Sequence, residues 1–572
     1  MKVKIQVIIT ALLFATFLSS CNDDFLDRQI DSRLSKDRVF KSYDYVSQFL
    51  VGTYAWLPEG FMRIGTVTSL SSDPVTENAM LASASDEAEH TWEGAAIQKF
   101  NNGSWSPYSN PEDQWDFFYT GIRRVNLFLE NIDQVNLDDY RLNPLPNQQT
   151  EYQNRKTDLK RWKYEARFLR AYFYFELVKR YGGVPVIRET LSLDDDLSLV
   201  KRNTIEECIS FIVEECDSAA AGLNIFPGRI STDNQASGRA TKGAALALKS
   251  RVLLYAASPL FLDPLATDSS KPTNQGKWQK AAAAAKAVID LGAYSLETYA
   301  KAFNNIGSKE LILPRRYGSA NDIEQANYPI GYEKGKSGTT PSQNLVDSYE
   351  MANGKPIHDP ESGYDPQNPY GNRDPRLLQT IIVNNSTWNK RPVELWNGGR
   401  DGKGKDQASK TGYYLKKYVV ENVDLLQDKT AVHTWVLFRL AEIYLNYAEA
   451  LNEYDPGNPD IAKYVNLVRK RVGMPDLSGG LSQAEMREKI QNERRVELAF
   501  EDHRFWDVRR WKIAPETLGA PIMGMDITKL DAEHFQYQKV QVENRVFMPK
   551  MYWYPIPQNE LIKTDWNQNP GW

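Results

Sequence analysis

The chain has 572 residues, with 69 basic and 74 acidic side chains and a formal net charge of −5, so it lacks the excess of positive charge that marks a nucleic-acid binder. Hydrophobic residues make up 41% and charged residues 25%, an ordinary globular composition rather than a disordered or fibrous one. Three cysteines and five histidines exclude a disulfide scaffold and leave little for a metal centre, so no metal or cofactor is expected.

The N-terminus reads as an address. Lys2 and Lys4 precede an almost unbroken apolar run from Ile5 to Leu18. At ~14 residues it is shorter than the ~20 needed to span a bilayer, and it reads as the core of a signal peptide covering residues 1–20. It ends Leu18-Ser19-Ser20-Cys21, which resembles the bacterial lipobox, where cleavage precedes the cysteine and its thiol is lipidated. Several acyl chains on Cys21, palmitate among them, would give stable anchoring. Asn22, Asp23 and Asp24 resemble the export signal that sends lipoproteins of Bacteroidetes-type bacteria to the outer face of the outer membrane. No later segment reaches 18 apolar residues, so lipid is the only membrane attachment expected.

Helical patterning then recurs in pairs. Residues 36–57 go with 111–133, and 158–181 with 203–223. In the latter, Thr204 and Glu207 have capping-box spacing, and Ile205, Cys208, Ile212, Cys216 and Ala219 share one face. Cys208 and Cys216 sit about 12 Å apart along a helix, beyond the ~7 Å that a disulfide bridges, so both are expected as reduced core residues. The alanine-rich 239–257 goes with 277–291, where Trp278, Ala282, Ala285 and Ile289 form a stripe. Finally 433–453 (Leu437, Ala441, Tyr444, Ala448, Leu451) goes with 459–472 (Ile461, Val465, Val468, Val472). Pairs with small residues facing bulky aromatics resemble tetratricopeptide units, irregularly spaced. The fold predicted is mainly α: about four tetratricopeptide-like helix pairs carrying a loop-rich subdomain.

Two long stretches, 58–110 and 295–430, are rich in Gly, Pro, Asn and Ser yet contain Trp and Tyr. Loops beyond ~15 residues are uncommon in compact domains and are often functional. Short strands are expected at Leu311–Leu313, Leu378–Val383 and Tyr413–Val420. Ligand sites are lined by aromatic side chains, with a few polar groups fixing orientation. The candidate ligand-binding residues are therefore Trp92, Trp105, Tyr108, Tyr317, Tyr332, Trp388 and Trp396, each in a Gly-, Asn- or Ser-rich setting without helical periodicity.

Catalytic motifs are near misses. Gly399 to Lys405 has the spacing of a phosphate-binding loop, but Asp406 stands where the hydroxyl ligand belongs. Gly331 to Ser337 ends Gly-Lys-Ser one residue short. The run Glu493 to Trp511 alternates acids and arginines with aromatics. Glu497, Glu501 and His503 would make an acid/base set, but arginine–carboxylate ties that lock a half-buried helix are the simpler reading. No catalytic residue is assigned.

That run resembles the C-terminal signature of the SusD/RagB family of surface glycan-binding lipoproteins. So do Leu440-Ala-Glu-Ile-Tyr-Leu-Asn-Tyr-Ala-Glu-Ala-Leu451, Arg373-Asp-Pro-Arg376, Tyr554-Pro-Ile-Pro-Gln-Asn-Glu560, Gln568-Asn-Pro-Gly-Trp572, and Cys21 followed by Phe25-Leu-Asp27. The resemblance implies an N-terminal helical part, 21–294, and a C-terminal part, 295–572, with a ligand-binding insertion and closing helices. It implies binding of an oligosaccharide, or in some members a peptide, and delivery without catalysis to a SusC-like TonB-dependent transporter at the outer membrane. It assigns no binding residue, since these vary among members. A tetratricopeptide scaffold that binds only proteins is the alternative from another class.

Overall fold

The computed structural model describes residues 35–61, 78–192, 194–226, 238–262 and 275–572. The expected signal peptide and Cys21 lie outside them. The expected helices form, with shifted ends. Residues 36–57 make two helices, because Ser42 is extended and caps the second, α1 (Tyr43–Tyr54). Next come α2 (Trp115–Asn131) and α3 (Pro146–Tyr181). The latter starts 12 residues earlier than the periodicity suggests, with a proline in its first turn, where a missing N–H costs nothing. The capping box of Thr204 and Glu207 closes around the start of α4 (Ile205–Gly222). Cys208 and Cys216 on it are free and buried. Then follow α5 (Lys242–Ala257), α6 (Gln275–Ile289), α7 (Leu440–Tyr454), α8 (Pro459–Lys470), α9 (Gln483–Glu497) and α10 (His503–Arg510).

These helices stack as a chain of neighbours. Each of α2 to α7 packs on the next, and α7 also packs on α8 and α9. The contact of α6 with α7 closes over the roughly 150 residues between them, so the loop-rich stretch is an insertion into a continuous helical array. Small residues allow the close approaches: a Cβ on Gly121 of α2 would lie 2.8 Å from the Phe173 ring of α3. The buried side chains form one cluster running from Phe40 to Ile556. Among the described residues no helix is long and apolar enough to cross a membrane.

Two expectations are corrected. Residues 433–439 are not helical: they belong to a strand, Ala431–Arg439, antiparallel to Leu311–Ala320. Val432, Thr434, Trp435, Val436 and Phe438 suit a pleated surface, and a distant partner is there to pair with them. The helical stripe begins only at Ala441. The other two expected strands shrink to the paired dipeptides Ile381–Ile382 and Tyr414–Leu415, because Arg376–Thr380 is helical.

The run 493–511 is likewise two helices, α9 and α10, separated where Phe500 and Asp502 take positive φ of 61° and 60°. Its charges are tied as the arginine–carboxylate reading requires. Arg439 bridges Glu310, Glu497 and Glu501 at 2.8, 2.5 and 2.7 Å. Arg376 bridges Asp374, Glu493 and Glu497 at 2.7, 2.5 and 3.0 Å. Arg471 joins Glu310 and Glu497. Burial opposes charge on Glu497, but Arg471, Arg439 and Arg376 outweigh it and hold its pKa well below the usual carboxylate range. His503 is pushed well below its usual value, first by burial and then by surrounding cations. Glu497 and Glu501 are therefore buried parts of a structural network, and His503 is buried beside its cations.

Candidate functional site

Three of the candidate aromatics come together as a rim: Tyr332 touches Trp388, and Trp92 is tied to the loop that follows Tyr332. Its spine is an antiparallel pairing of Ala88–His90 (β1) with Thr339–Pro341 (β3, with Leu311–Ala320 as β2). Thr91 continues the ladder by donating its N–H to the Gly338 carbonyl at 2.9 Å. This places Trp92 beside the 331–338 loop, where its indole N–H donates to the Lys336 carbonyl at 2.9 Å.

Tyr332 is the centre of the rim. Its hydroxyl donates to the Trp388 carbonyl at 2.7 Å. The Arg391 guanidinium lies 3.8 Å from its ring centroid, a cation–π contact. Arg391 is in turn fixed by two N–H···O bonds of 2.7 Å to the buried Asp401, and by a third to the Gly331 carbonyl at 3.1 Å. Burial works against the Arg391 charge, but Asp401 outweighs it and raises its pKa. Burial likewise pushes the Tyr332 phenol up, so it is a neutral donor at any physiological pH. Tyr328 packs edge-on against both Tyr332 and Trp388, at 6.2 and 6.3 Å between centroids.

Tyr317 and Trp396 are each fixed by neighbours of their own. The Tyr317 hydroxyl donates to Asp322 at 2.8 Å, at the start of the short helix Asp322–Asn327 that leads into Tyr328. Phe61 meets its ring edge-on. Trp396 packs on Phe535 at 5.3 Å, with the Lys529 ammonium 4.3 Å from its ring centroid. Non-glycine residues of these loops hold left-handed backbones, among them Lys334, Ser337, Asn389, Lys390 and Asn422, with φ between 42° and 69°. Conformations of that kind persist where surrounding structure enforces them, and they concentrate at ligand-binding sites.

The seven candidates thus divide. Trp92, Tyr317, Tyr332 and Trp396 are half-buried, each packed against the hydrophobic core. Trp388 belongs to the same cluster, but at 1% exposure it supports the rim from below. Trp105 and Tyr108 lie elsewhere, beside the C-terminal tail. Trp105 is 2% exposed and packs on Trp572 and Tyr554, while Tyr108 is 81% exposed. Sequence reasoning missed Tyr328, Arg391 and Asp401. The phosphate-loop near miss is explained by Asp401: the loop folds around that carboxylate, which also accepts the Glu394 N–H at 2.9 Å. Turns, not a helix, follow it. Among the described residues no group of His, Cys, Asp and Glu is arranged to hold a metal ion.

The architecture is the expected one, a stack of tetratricopeptide-like helix pairs carrying a loop-rich insertion rather than a bare helical repeat. The sequence agrees. Residues 309–572 match the model of the SusD family, and residues 24–254 match a SusD-like model described as starch-binding associating with outer membrane. The chain belongs to the SusD/RagB family. A SusD-like protein from Bacteroides fragilis is 27% identical, with a TM-score of 0.75 over 94% of this chain and 99% of its own. A SusD-like carbohydrate binding protein from Bacteroides fragilis is 25% identical, with a TM-score of 0.70 over 92% of this chain and 99% of its own. SusD-like protein P38 of Formosa agariphila is 26% identical over 452 residues, 75% of this chain and 78% of that one.

Proposed function

We propose that this protein captures a glycan on the outer face of the outer membrane and hands it, unaltered, to a partner TonB-dependent transporter. The observation that carries the reading is the rim centred on Tyr332. A ring held by its own hydroxyl and by Arg391 cannot swing away, so its open face is preorganised for a sugar ring. Preorganisation of that kind removes an ordering cost from binding. Trp92, Tyr317 and Trp396 extend the apolar surface, and the polar side chains of the same loops, Lys334, Asn389 and Asn397, are held by Asp428, the Asn422 N–H and Asp526. The carbohydrate-binding relative from Bacteroides fragilis and the starch-binding description of the N-terminal model support a glycan as ligand. Cys21 is proposed to carry the lipid anchor, and the chain to divide at about residue 295 into a helical part and an insertion-bearing part.

The test is calorimetric titration of the purified protein with a panel of oligosaccharides. Tyr332→Ala and Trp396→Ala should each lower affinity about tenfold, equivalent to ~1.4 kcal/mol, with the melting temperature nearly unchanged. The reading fails if no glycan binds, or if both substitutions alter stability and leave affinity alone. Incubation with the bound glycan should release no shorter product.

A further inference from the structure

A pair of buried carboxyls joins the spine of the rim to the hairpin of Ile522–Lys529 and Phe535–Glu543. One is Glu89 of β1, at 2% exposure. The other is Glu543, the last residue of the hairpin. The pairing shifts register there: Gln541 lies opposite Met523 and Glu543 opposite Ile522, so Val542 is an extra residue. A bulge of that kind re-aims neighbouring side chains. The Glu543 and Glu89 carboxyls are hydrogen-bonded to each other.

One cation serves both. Arg545 donates to Glu89 at 2.9 Å through Nη2 and to Glu543 at 3.1 Å through Nε. It is pinned by backbone as well, donating to the Ser83 carbonyl at 3.1 Å, the Ala88 carbonyl at 2.8 Å and the Ser85 carbonyl. The guanidinium is therefore fixed between the two carboxyls and cannot turn wholly to either.

The other charges around β1 are committed elsewhere. Arg495 and Arg504 both pair with Asp86, each at 2.8 Å, and Asp86 draws on Arg545 too. Glu87 accepts the Phe500 N–H. From the short helix Gln98–Asn102, Gln98 donates to Glu89 at 2.9 Å without bringing charge, and Lys99 is held by Ser109 at 2.7 Å. The His90 ring lies beside Gly338. β3 is Thr-Thr-Pro and adds no titratable group. On the hairpin, Lys539 is held by Asp347 at 2.8 Å. Two carboxyls in contact, with one shared guanidinium, hold one proton in common.

We propose that Glu89 and Glu543 form a one-proton latch that ties the hairpin to the spine of the rim, closed in acid and loosened as the solution turns alkaline. Burial, and then the Glu543 carboxyl, push Glu89 up to about 8 from the usual 4.5, against the pull of Arg545. The closed latch keeps a proton that the opened one releases. Its strength is full below pH ~4.5, weakens by up to about tenfold per pH unit above that, and levels off near pH 8. Glu543 is the member that swings out, because its side chain is 23% exposed and that of Glu89 only 2%. Its departure loosens the segment that ends at Val546, whose N–H donates to the Asn101 carbonyl at 2.9 Å.

The experiment is hydrogen–deuterium exchange of the purified protein at pH 6, 7, 8 and 9, corrected for the intrinsic pH dependence of exchange, which reads local opening directly. Protection of amides in 541–546 should fall at least about tenfold between pH 6 and 8 and change little between 8 and 9. Glu89→Gln and Glu543→Gln each leave one carboxyl for one guanidinium, with an amide donor in place of the shared proton, and each should abolish the fall. Glu87→Gln should preserve it. No ligand is needed, so the outcome is separate from whether the rim binds a glycan. Flat protection in the native protein, a fall that survives either variant of the pair, or a fall that Glu87→Gln removes would each overturn the latch.

Discussion

Asp86 and Glu87 are chain neighbours beside β1 with opposite responses to pH. Burial opposes charge on Asp86, but Arg495 and Arg504 outweigh it and hold its pKa well below the usual 3.8. Burial, and then the Asp86 charge itself, push Glu87 up to about 8 from the usual 4.5. Folded Glu87 therefore keeps a proton that the unfolded chain releases, so its contribution to stability is full below pH ~4.5 and is lost as pH rises through about 8. Asp86 works the other way, losing its contribution as pH falls below the usual carboxylate value. Unfolding free energy measured by chemical denaturation from pH 5 to 9 should decline, at a slope of at most about 1.4 kcal/mol per pH unit for each such carboxyl. Glu87→Gln should flatten that decline, and an unchanged slope would refute the assignment. The buried network gives a larger effect. Arg439→Met leaves Glu310, Glu497 and Glu501 facing one cation fewer, at 0%, 0% and 4% exposure. Removing one partner of a buried ionic cluster costs about 3–5 kcal/mol, which chemical denaturation would read directly. A loss under 1 kcal/mol would mean the network contributes little.

At the scale of elements, the array depends on close approaches between helices. Gly121→Ala would press a methyl group into the Phe173 ring, and overpacking of that kind costs about 1–3 kcal/mol. Adding Phe173→Leu should recover much of the loss in a denaturant melt, whereas an additive double variant would show that the two sites are not in contact. Glycan affinity should be untouched, because α2 and α3 do not reach the Tyr332 rim. The loops of the insertion are held differently, through buried polar anchors rather than periodic apolar faces. Asp401 is one such anchor, since it fixes both Arg391 and the backbone at Glu394. Asp401→Asn should therefore weaken glycan binding more than Arg391→Lys, which keeps a cation over the ring. The same titration compares them, and the reverse order would remove Asp401 from the site's support.

For the whole molecule, the proposal joins two surfaces: a ring-lined rim for ligand, and helices that stack as neighbours and expose broad faces of the kind that repeat proteins use for partners. A protein that binds a nutrient on the cell surface has to pass it to something that crosses the membrane. Pull-down of a tagged copy from outer membranes under mild detergent should bring a TonB-dependent barrel at one-to-one stoichiometry. Recovery of the protein alone, with cross-linking also empty, would leave it a free-standing binder. Cys21→Ala should shift it out of the membrane fraction, and retention on the membrane would exclude the lipid anchor.

Local pattern alone carried the helices, the capping box at Thr204 and the separation of the two core cysteines, because each depends on residues within a few turns. The family motifs also stood in the sequence, including the arginine–acid run whose ties the fold then displays. What tertiary structure decided was every feature set by a distant partner. Residues 433–439 continue a helical spacing on paper, yet they pair with 311–320 as a strand, since an available edge outweighs a weak local preference. Asp401 looked like part of a flexible glycine loop until Arg391 and Tyr332 were placed beside it. Trp388 and Trp396 sit in equally polar stretches, but only packing by Tyr328 and Tyr332 buries the first and leaves the second partly open. Burial of a loop aromatic follows from where other segments cross it, and no periodicity in its own segment records that.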